Sequence, residues 1–389
     1  MNSFLWILLQ SMNSISSTIV SIFLSIFVWQ KTGDINFIYL YFLGLFVSIP
    51  FFGIIGAIIS EKINFKLPFL ISFLTQVIFL YFVVNKSDFL IANPVAFGVL
   101  NSVTIGFFAI PRNSLYQILN KENISGGNAV LSVIYSIIGL AVPLAGSYWL
   151  AQTGNYKLIF LIAGLSILVC AILLFFIKLP KSDGKYELSL IFKFLRVGDY
   201  RKIVILRFID GLKNGIEWGL FGIIMFNLTN GDISKWGYLN FATSGVAIFA
   251  GILYSKFIAN KYELPTLYIF SILYTFFGLF ILINFNLINF LVYFIGTAIS
   301  GVFISSSVSK LWSDVFSSSG GNEYSSSEFF SFLELPVMVG RVIPFMILYL
   351  YNYNLDSKLV LGVLFLFISI IPLISTYILE KTHVFGIKN

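Results

Sequence analysis

The stretch "LRFIDGLKNGIEWGLFGIIMF" (residues 206–226) decides how the chain is read, because it sets Asp210, Lys213 and Glu217 in the middle of a long apolar run. In water three charges on one face would be ordinary. The rest of the chain excludes water as the main solvent: 58% of the 389 residues are hydrophobic and 11% are charged, against about 25% charged in soluble domains. The 44 Phe and 20 Tyr agree with an apolar surround. One Cys and one His make neither an internal disulfide nor a metal cluster. No metal or other cofactor is expected, and no Gly-rich phosphate loop implies ATP drive.

An apolar helix of about 20 residues crosses the hydrocarbon core. Twelve such segments follow, at about 4–28, 36–59, 67–84, 89–111, 127–150, 157–178, 203–228, 236–258, 265–285, 287–311, 328–350 and 358–379. The fold class expected is all-α, with twelve transmembrane helices. The first segment lacks a basic leader and a small-residue cleavage site, so it reads as a span rather than a signal peptide.

Short loops carrying Lys and Arg mark the cytoplasmic side. With the N-terminus inside, sixteen Lys and Arg fall on inner loops and five on outer ones, while Arg207, Lys213 and Arg341 lie within segments. Both termini are therefore expected in the cytoplasm, in a plasma or inner membrane. The net charge of +7 then reflects topology, and nothing speaks for nucleic acid.

The hydrophilic connection over 178–202 separates six spans from six. The division expected is an N-terminal bundle over 1–179, a central cytoplasmic loop over 180–201 and a C-terminal bundle over 202–389. Within the loop, Leu188, Ile191, Phe192 and Leu195 recur at helical spacing, which suits an amphipathic helix on an anionic inner leaflet. The halves also echo each other. "GAIISEKINFK" (56–66) after the second span matches "GILYSKFIANK" (251–261) after the eighth, and both carry Gly, then Ser, then a terminal Lys. "GLAVPLAG" (139–146) and "GRVIP" (340–344) each place Pro four residues after Gly. Such six-helix repeats are a transporter architecture with its binding site near the bilayer midplane.

These features resemble the major facilitator superfamily over essentially the whole chain. Its loop signature maps onto Gly56, Ser60, Glu61 and Lys66, and again onto Gly251, Ser255 and Lys261. Ser60 stands where the family usually has Asp, and Glu61 offers the acid one position on. Gly139, Pro143 and Gly146 are similar to the fifth-helix motif of the exporter branch, with Val142 in place of a Gly. "SEFFSFLELPVMVGRV" (327–342) resembles the eleventh helix of poorly characterised prokaryotic members. The resemblance implies two pseudo-symmetric six-helix bundles and alternating access. It also implies proton-coupled export of a small amphipathic or hydrophobic compound, by a chain acting as a monomer among lipids. Uptake of a nutrient or organic anion is the alternative. A lipid-modifying enzyme or a non-transporting membrane protein is the reading from another class.

An ionised side chain in the bilayer core costs at least a few kcal/mol and normally faces protein or a wet cavity. Asp210, Lys213 and Glu217 share one helical face, as do Glu334 and Arg341, with Glu328 at the cytoplasmic mouth. At 1.5 Å per residue, Asp210 and Glu334 lie roughly 10–12 Å from the inner helix ends, and Glu217 and Arg341 roughly 20 Å. Those depths predict pairing of Glu217 with Arg341, and of Lys213 with Glu334 or Asp210. Three acids against two cations then leave one surplus acid as a proton carrier, Glu334 or Asp210 before Glu217. A salt lock between the two helices is the plain alternative. Arg341 is also a candidate fork for an anionic substrate. On the first span, Gln10, Asn13, Ser14 and Ser17, continued by Ser21 and Ser25, make a polar stripe that suits a cavity wall or close helix packing. Trp218 is the aromatic candidate for substrate contact. Trp6, Trp29, Trp149 and Trp236 suit membrane-interface belts.

Overall fold

The structure, a computed structural model, describes residues 3–121, 125–180, 186–188, 198–258, 263–318, 326–353 and 357–381. Twelve long helices run through them and no strand is present among the described residues. They are α1 (Ser3–Thr32), α2 (Ile35–Lys62), α3 (Lys66–Asn85), α4 (Pro94–Lys121), α5 (Ser125–Thr153) and α6 (Tyr156–Phe176) in the first half. The second half holds α7 (Gly198–Leu228), α8 (Ile233–Leu253), α9 (Glu263–Ile283), α10 (Leu287–Ser318), α11 (Ser326–Leu350) and α12 (Lys358–Glu380). Eleven contain a segment long and apolar enough to cross a membrane; α7, interrupted by its charged side chains, is the exception. Large apolar side chains such as Phe51, Leu165 and Phe175 stand more than half exposed, as lipid-facing residues should. The amphipathic helix expected around Ile191–Leu195 lies outside the described residues.

Three turns on the side expected to face outward use one device. Helices α1, α5 and α7 end at or just before Gly33, Gly154 and Gly231, whose φ values of +61°, +63° and +75° reverse the chain. Each glycine N–H closes on the preceding helix, to Trp29, Leu150 and Phe226 respectively. The next residue is Asp34, Asn155 or Asp232, and each side chain caps the following helix by accepting a backbone N–H. The expected span 89–111 is displaced: a short helix, Ser87–Ala92, precedes α4, and the break falls at Asn93. Asn93 precedes Pro94 and sits at φ −134°, ψ 63°, because proline disfavours helical backbone in the residue before it.

Two helix pairs meet at backbone distance. In the first half α2 crosses α4, where a Cβ on Gly98 would lie 2.1 Å from the Tyr41 carbonyl oxygen. In the second, α7 meets α11 along Gly211 and Gly215, and a Cβ on Gly340 would lie 2.1 Å from the Phe208 carbonyl oxygen. Small residues four apart permit this approach where lipid supplies no hydrophobic drive. The internal echo has a spatial counterpart. Gly56 faces Phe107 and Gly251 faces Val302, so both contacts are related by one offset of 195 residues.

The halves touch at both ends. On the side expected to be outer, Trp29 Nε1 donates to Asn227 Oδ1 (3.0 Å), Asn36 Nδ2 to Asn352 Oδ1 (2.7 Å) and Tyr39 to the Tyr353 carbonyl (2.8 Å). On the side expected to be inner, Ser327 at the start of α11 donates to Glu61 at the end of α2. Between these ends lies the cavity.

Candidate functional site

A cavity of about 670 Å³ lies between the halves, walled by α1–α4 on one side and α7, α8 and α10 on the other. Asn13, Ser14, Ser17, Ser21 and Ser25 of α1 line it, as do Gln76 of α3 and Asn101 of α4. Facing them are Trp218, Phe221, Trp236 and Phe294. One wall thus offers hydrogen-bonding groups, uncharged apart from Arg112 of α4, and the other offers aromatic surface beside Glu217. Gln10 is the exception to the expected polar stripe. It is buried behind the wall, and its Oε1 accepts from Tyr135 at 3.1 Å, one turn too far along α1 to face the opening.

The deep charges form a different set of pairs from those expected by depth. Glu217 meets Lys213 at 3.3 Å and accepts from the Tyr274 hydroxyl of α9 at 2.8 Å. Arg341 meets Glu334 at 3.6 Å. The pairing of Glu217 with Arg341, and of Lys213 with Glu334 or Asp210, is therefore corrected. Side chains on a helix lean toward its N-terminus, so Glu217 tilts back onto Lys213 and Arg341 onto Glu334. The guanidinium of Arg341 instead lies over rings, 4.7 Å from the centroid of Trp218 and 5.7 Å from that of Phe46.

The charge count also changes. Arg207 stands 3.6 Å from Glu334 and 3.9 Å from Asp210. Three acids now face three cations, so the surplus acid does not exist. Arg207 lies within a span and is the third cation that a count of the deepest charges omits. The role of Arg341 as an anion fork is displaced too, since Glu334 occupies it.

Of the five network residues only Glu217 lines the cavity, beside Trp218. Of the other four, Arg341 lies over Trp218 of α7 and Phe46 of α2, Lys213 lies over the Tyr274 ring of α9, and Asp210 and Glu334 stand near Arg207. Trp236 is buried against Phe23 of α1, ring centroids 5.8 Å apart, and Trp6 packs on Phe69 at 6.1 Å; both are core residues and not interface belts. Asn240 lines the cavity as well.

The loop signature sits at the inner ends. Ser60 is buried and bonds its own helix at the Ala57 carbonyl (2.8 Å), leaving the buried Glu61 to receive Ser327. Lys66 reaches the Phe175 carbonyl of α6 at 3.2 Å. Ser255 bonds the Ile252 carbonyl at 2.9 Å within a π-turn over Tyr254–Ile258; Lys261 lies outside the described residues. Glu328 is buried and accepts the Glu187 backbone N–H at 2.5 Å, and Tyr186 donates to Ser331 at 3.0 Å. Burial raises the Tyr186 phenol above its ordinary range. In α5, Pro143 lies inside the helix, Gly146 abuts the Phe23 ring and Gly139 meets nothing within 4 Å. Among the described residues no group of three or more metal-ligating side chains exists.

No protein-family model matches the chain. A curated relative, the uncharacterized protein YqgE of Bacillus subtilis (strain 168), is 24% identical over 256 residues, which cover 64% of this chain. The match spans 59% of that relative's length. Solved structures match end to end. The nucleoside transporter NupG aligns over 100% of both chains with 13% identity and a TM-score of 0.65. A D-xylose-proton symporter aligns over 98% of this chain and 97% of its own, with 12% identity and a TM-score of 0.65. The xylose transporter XylE from E. coli, in a partially occluded inward open conformation, gives 10% and 0.63, over 97% and 98% of the two chains. The chain has the major facilitator fold, shared with transporters of small molecules.

Proposed function

We propose that the chain is a secondary active transporter that exchanges a small amphipathic compound for protons by alternating access. Two halves, residues 1–179 and 202–389, rock about the cavity. Both termini lie in the cytoplasm, and one chain among lipids suffices because it holds the whole pathway. Glu217 carries this reading: it is an acid on the cavity wall, held by Lys213 at 3.3 Å and Tyr274 at 2.8 Å. Proton uptake there cancels its attraction to Lys213 within α7 and turns the charge-assisted bond from Tyr274 of α9 into a neutral, weaker one. The proton site thus moves to Glu217 from Glu334 and Asp210, which do not line the cavity. Polar α1 groups opposite Trp218 and Phe221 suit a compound with both hydrogen-bonding and apolar faces.

Export is the direction favoured by Gly139, Pro143 and Gly146. Uptake is the second reading, favoured by the likeness to a D-xylose-proton symporter. Inverted vesicles acidified inside separate them: export fills these vesicles with compound, and uptake fills right-side-out vesicles in acidic medium. Glu217→Gln should abolish gradient-driven accumulation while equilibrium exchange of the same compound persists. Accumulation at the unaltered level in Glu217→Gln removes Glu217 as the proton site.

A further inference from the structure

We infer that the cavity selects organic anions, and that Arg112 at its inner end is the anchor for their charged group. The inference rests on the cavity being the transport pathway. Two charged side chains line it among the described residues, Glu217 and Arg112. Glu217 carries its countercharge with it, Lys213 at 3.3 Å. Arg112 does not. Its hydrogen bond runs to the neutral side chain of Asn113 at 3.3 Å, its guanidinium lies 5.4 Å from the Phe108 ring centroid, and its Nε is buried with no partner. The other cations near the wall are spoken for: Arg207 and Arg341 by Glu334, Lys213 by Glu217. The lined space therefore bears one positive charge that no described carboxylate balances.

A guanidinium presents a planar fork of donors that matches a carboxylate, sulfate or phosphate ester. Phe108, which also lines the cavity, holds the fork by its face and leaves its edge for a ligand. Beyond it the wall is aromatic at Trp218 and Phe221 and polar but uncharged at Asn101 and Gln76. The ligand that fits is a monoanion with an apolar or aromatic body. The cation Arg112 excludes ammonium compounds by like-charge repulsion, so the selectivity is electrostatic and not steric.

Three matched ring compounds test this: phenylacetate, 2-phenylethanol and 2-phenylethylammonium, added at fixed neutral pH to the purified full chain. Cys170 is fully buried, so a thiol-reactive dye reports unfolding as that thiol emerges. Phenylacetate should raise the unfolding temperature and the other two should not. Arg112→Gln should weaken the apparent phenylacetate affinity at least about tenfold, the scale of one lost charge-assisted bond. Arg112→Lys, which keeps the charge, should retain part of it. The ranking should hold in lipid discs with or without phosphatidylglycerol; its loss in the anionic discs would assign Arg112 to a lipid headgroup and overturn the proposal. Indistinguishable responses to the three compounds, or a phenylacetate effect that survives Arg112→Gln, overturn it too. Because binding is read at equilibrium without a gradient, an Arg112-dependent preference for phenylacetate stands even where gradient-driven accumulation fails, which separates this inference from the transport reading.

Discussion

Arg341 holds Glu334 at 3.6 Å while its guanidinium lies 4.7 Å from the ring of Trp218. One side chain of α11 is thereby shared between an acid of its own helix and a ring of α7 that faces the cavity. Removing it leaves Glu334 with Arg207 alone and Trp218 without its backing.

Arg341→Ala should therefore destabilise the fold by about 3–5 kcal/mol, the cost of breaking a buried ion pair from one side. Arg341→Ala combined with Glu334→Gln should cost less than the sum of the two, with a coupling of about 1–3 kcal/mol. Unfolding titrations of the four proteins measure this. Additive costs would show that the pair does not couple.

Gly340→Ala should separate α7 from α11, because its Cβ would overlap the backbone of Phe208 and Leu212 at 2.1 and 2.8 Å. Backbone cannot step aside as a flexible side chain can, so the loss should reach at least about 1–3 kcal/mol. Gly139→Ala, with nothing within 4 Å, is the control and should be neutral within about 1 kcal/mol. Thermal unfolding of both variants gives the comparison, and equal stabilities would contradict the close helix contact.

The outer clasp predicts a shift in which side of the cavity is open. Asn227→Leu removes the acceptor that holds Trp29 at 3.0 Å. Losing one hydrogen bond of about 1 kcal/mol should raise outward opening about fivefold. A Ser21→Cys probe in the cavity wall, labelled from outside with a membrane-impermeant reagent, reads the opening as a labelling rate. An unchanged rate would mean that Trp29 and Asn227 do not restrain the outer side.

Asp232 predicts a pH effect at the outer end of α8. The backbone N–H of Lys235 is the main cause that holds its carboxyl below the ordinary range, joined by the Lys235 side chain and the N–H of Ser234. A depressed folded pKa means that the stabilisation is fully present above the unfolded value of about 3.9 and is lost as pH falls through the folded one. Protection of the amides at the start of α8, taken relative to their intrinsic exchange rate, should fall on acidification below pH 4. In Asp232→Asn that acid dependence should vanish.

The twelve helices were legible because hydropathy at bilayer length is a solvent argument, indifferent to which side chain touches which. The echo of Gly56 in Gly251 was legible as a repeated pattern, although a Cβ on Gly56 would stand 3.2 Å from the Phe107 backbone and one on Gly251 would make ordinary contact with Val302 at 3.7 Å. The pairings were not. Depth along a helix treats residues as points on an axis, and it ignores the lean that carried Glu217 to Lys213 and Arg341 to Glu334. Arg207 escaped because a count of the deepest charges stops at Lys213 and Arg341. Arg112 was hidden because a basic residue near an inner helix end has a sufficient explanation in topology, and that explanation hides a second role. Gln76 and Asn101 are single polar side chains in apolar spans, and sequence alone does not say which of the many helix faces turns inward. The break at Asn93 was written in the following proline.

Lys213 and Glu217 ride on one helix, and under the proposed alternating access with Glu217 as the proton site this bears on the membrane potential. The ionised pair sums to zero, so its displacement as α7 rocks draws no work from the voltage. Once Glu217 takes a proton the pair carries one positive charge. Each elementary charge crossing the full field is worth about 2.3 kcal/mol per 100 mV. Polarisation should then accelerate the return of the protonated carrier and leave the deprotonated step indifferent, an electrical asymmetry set by two side chains four residues apart.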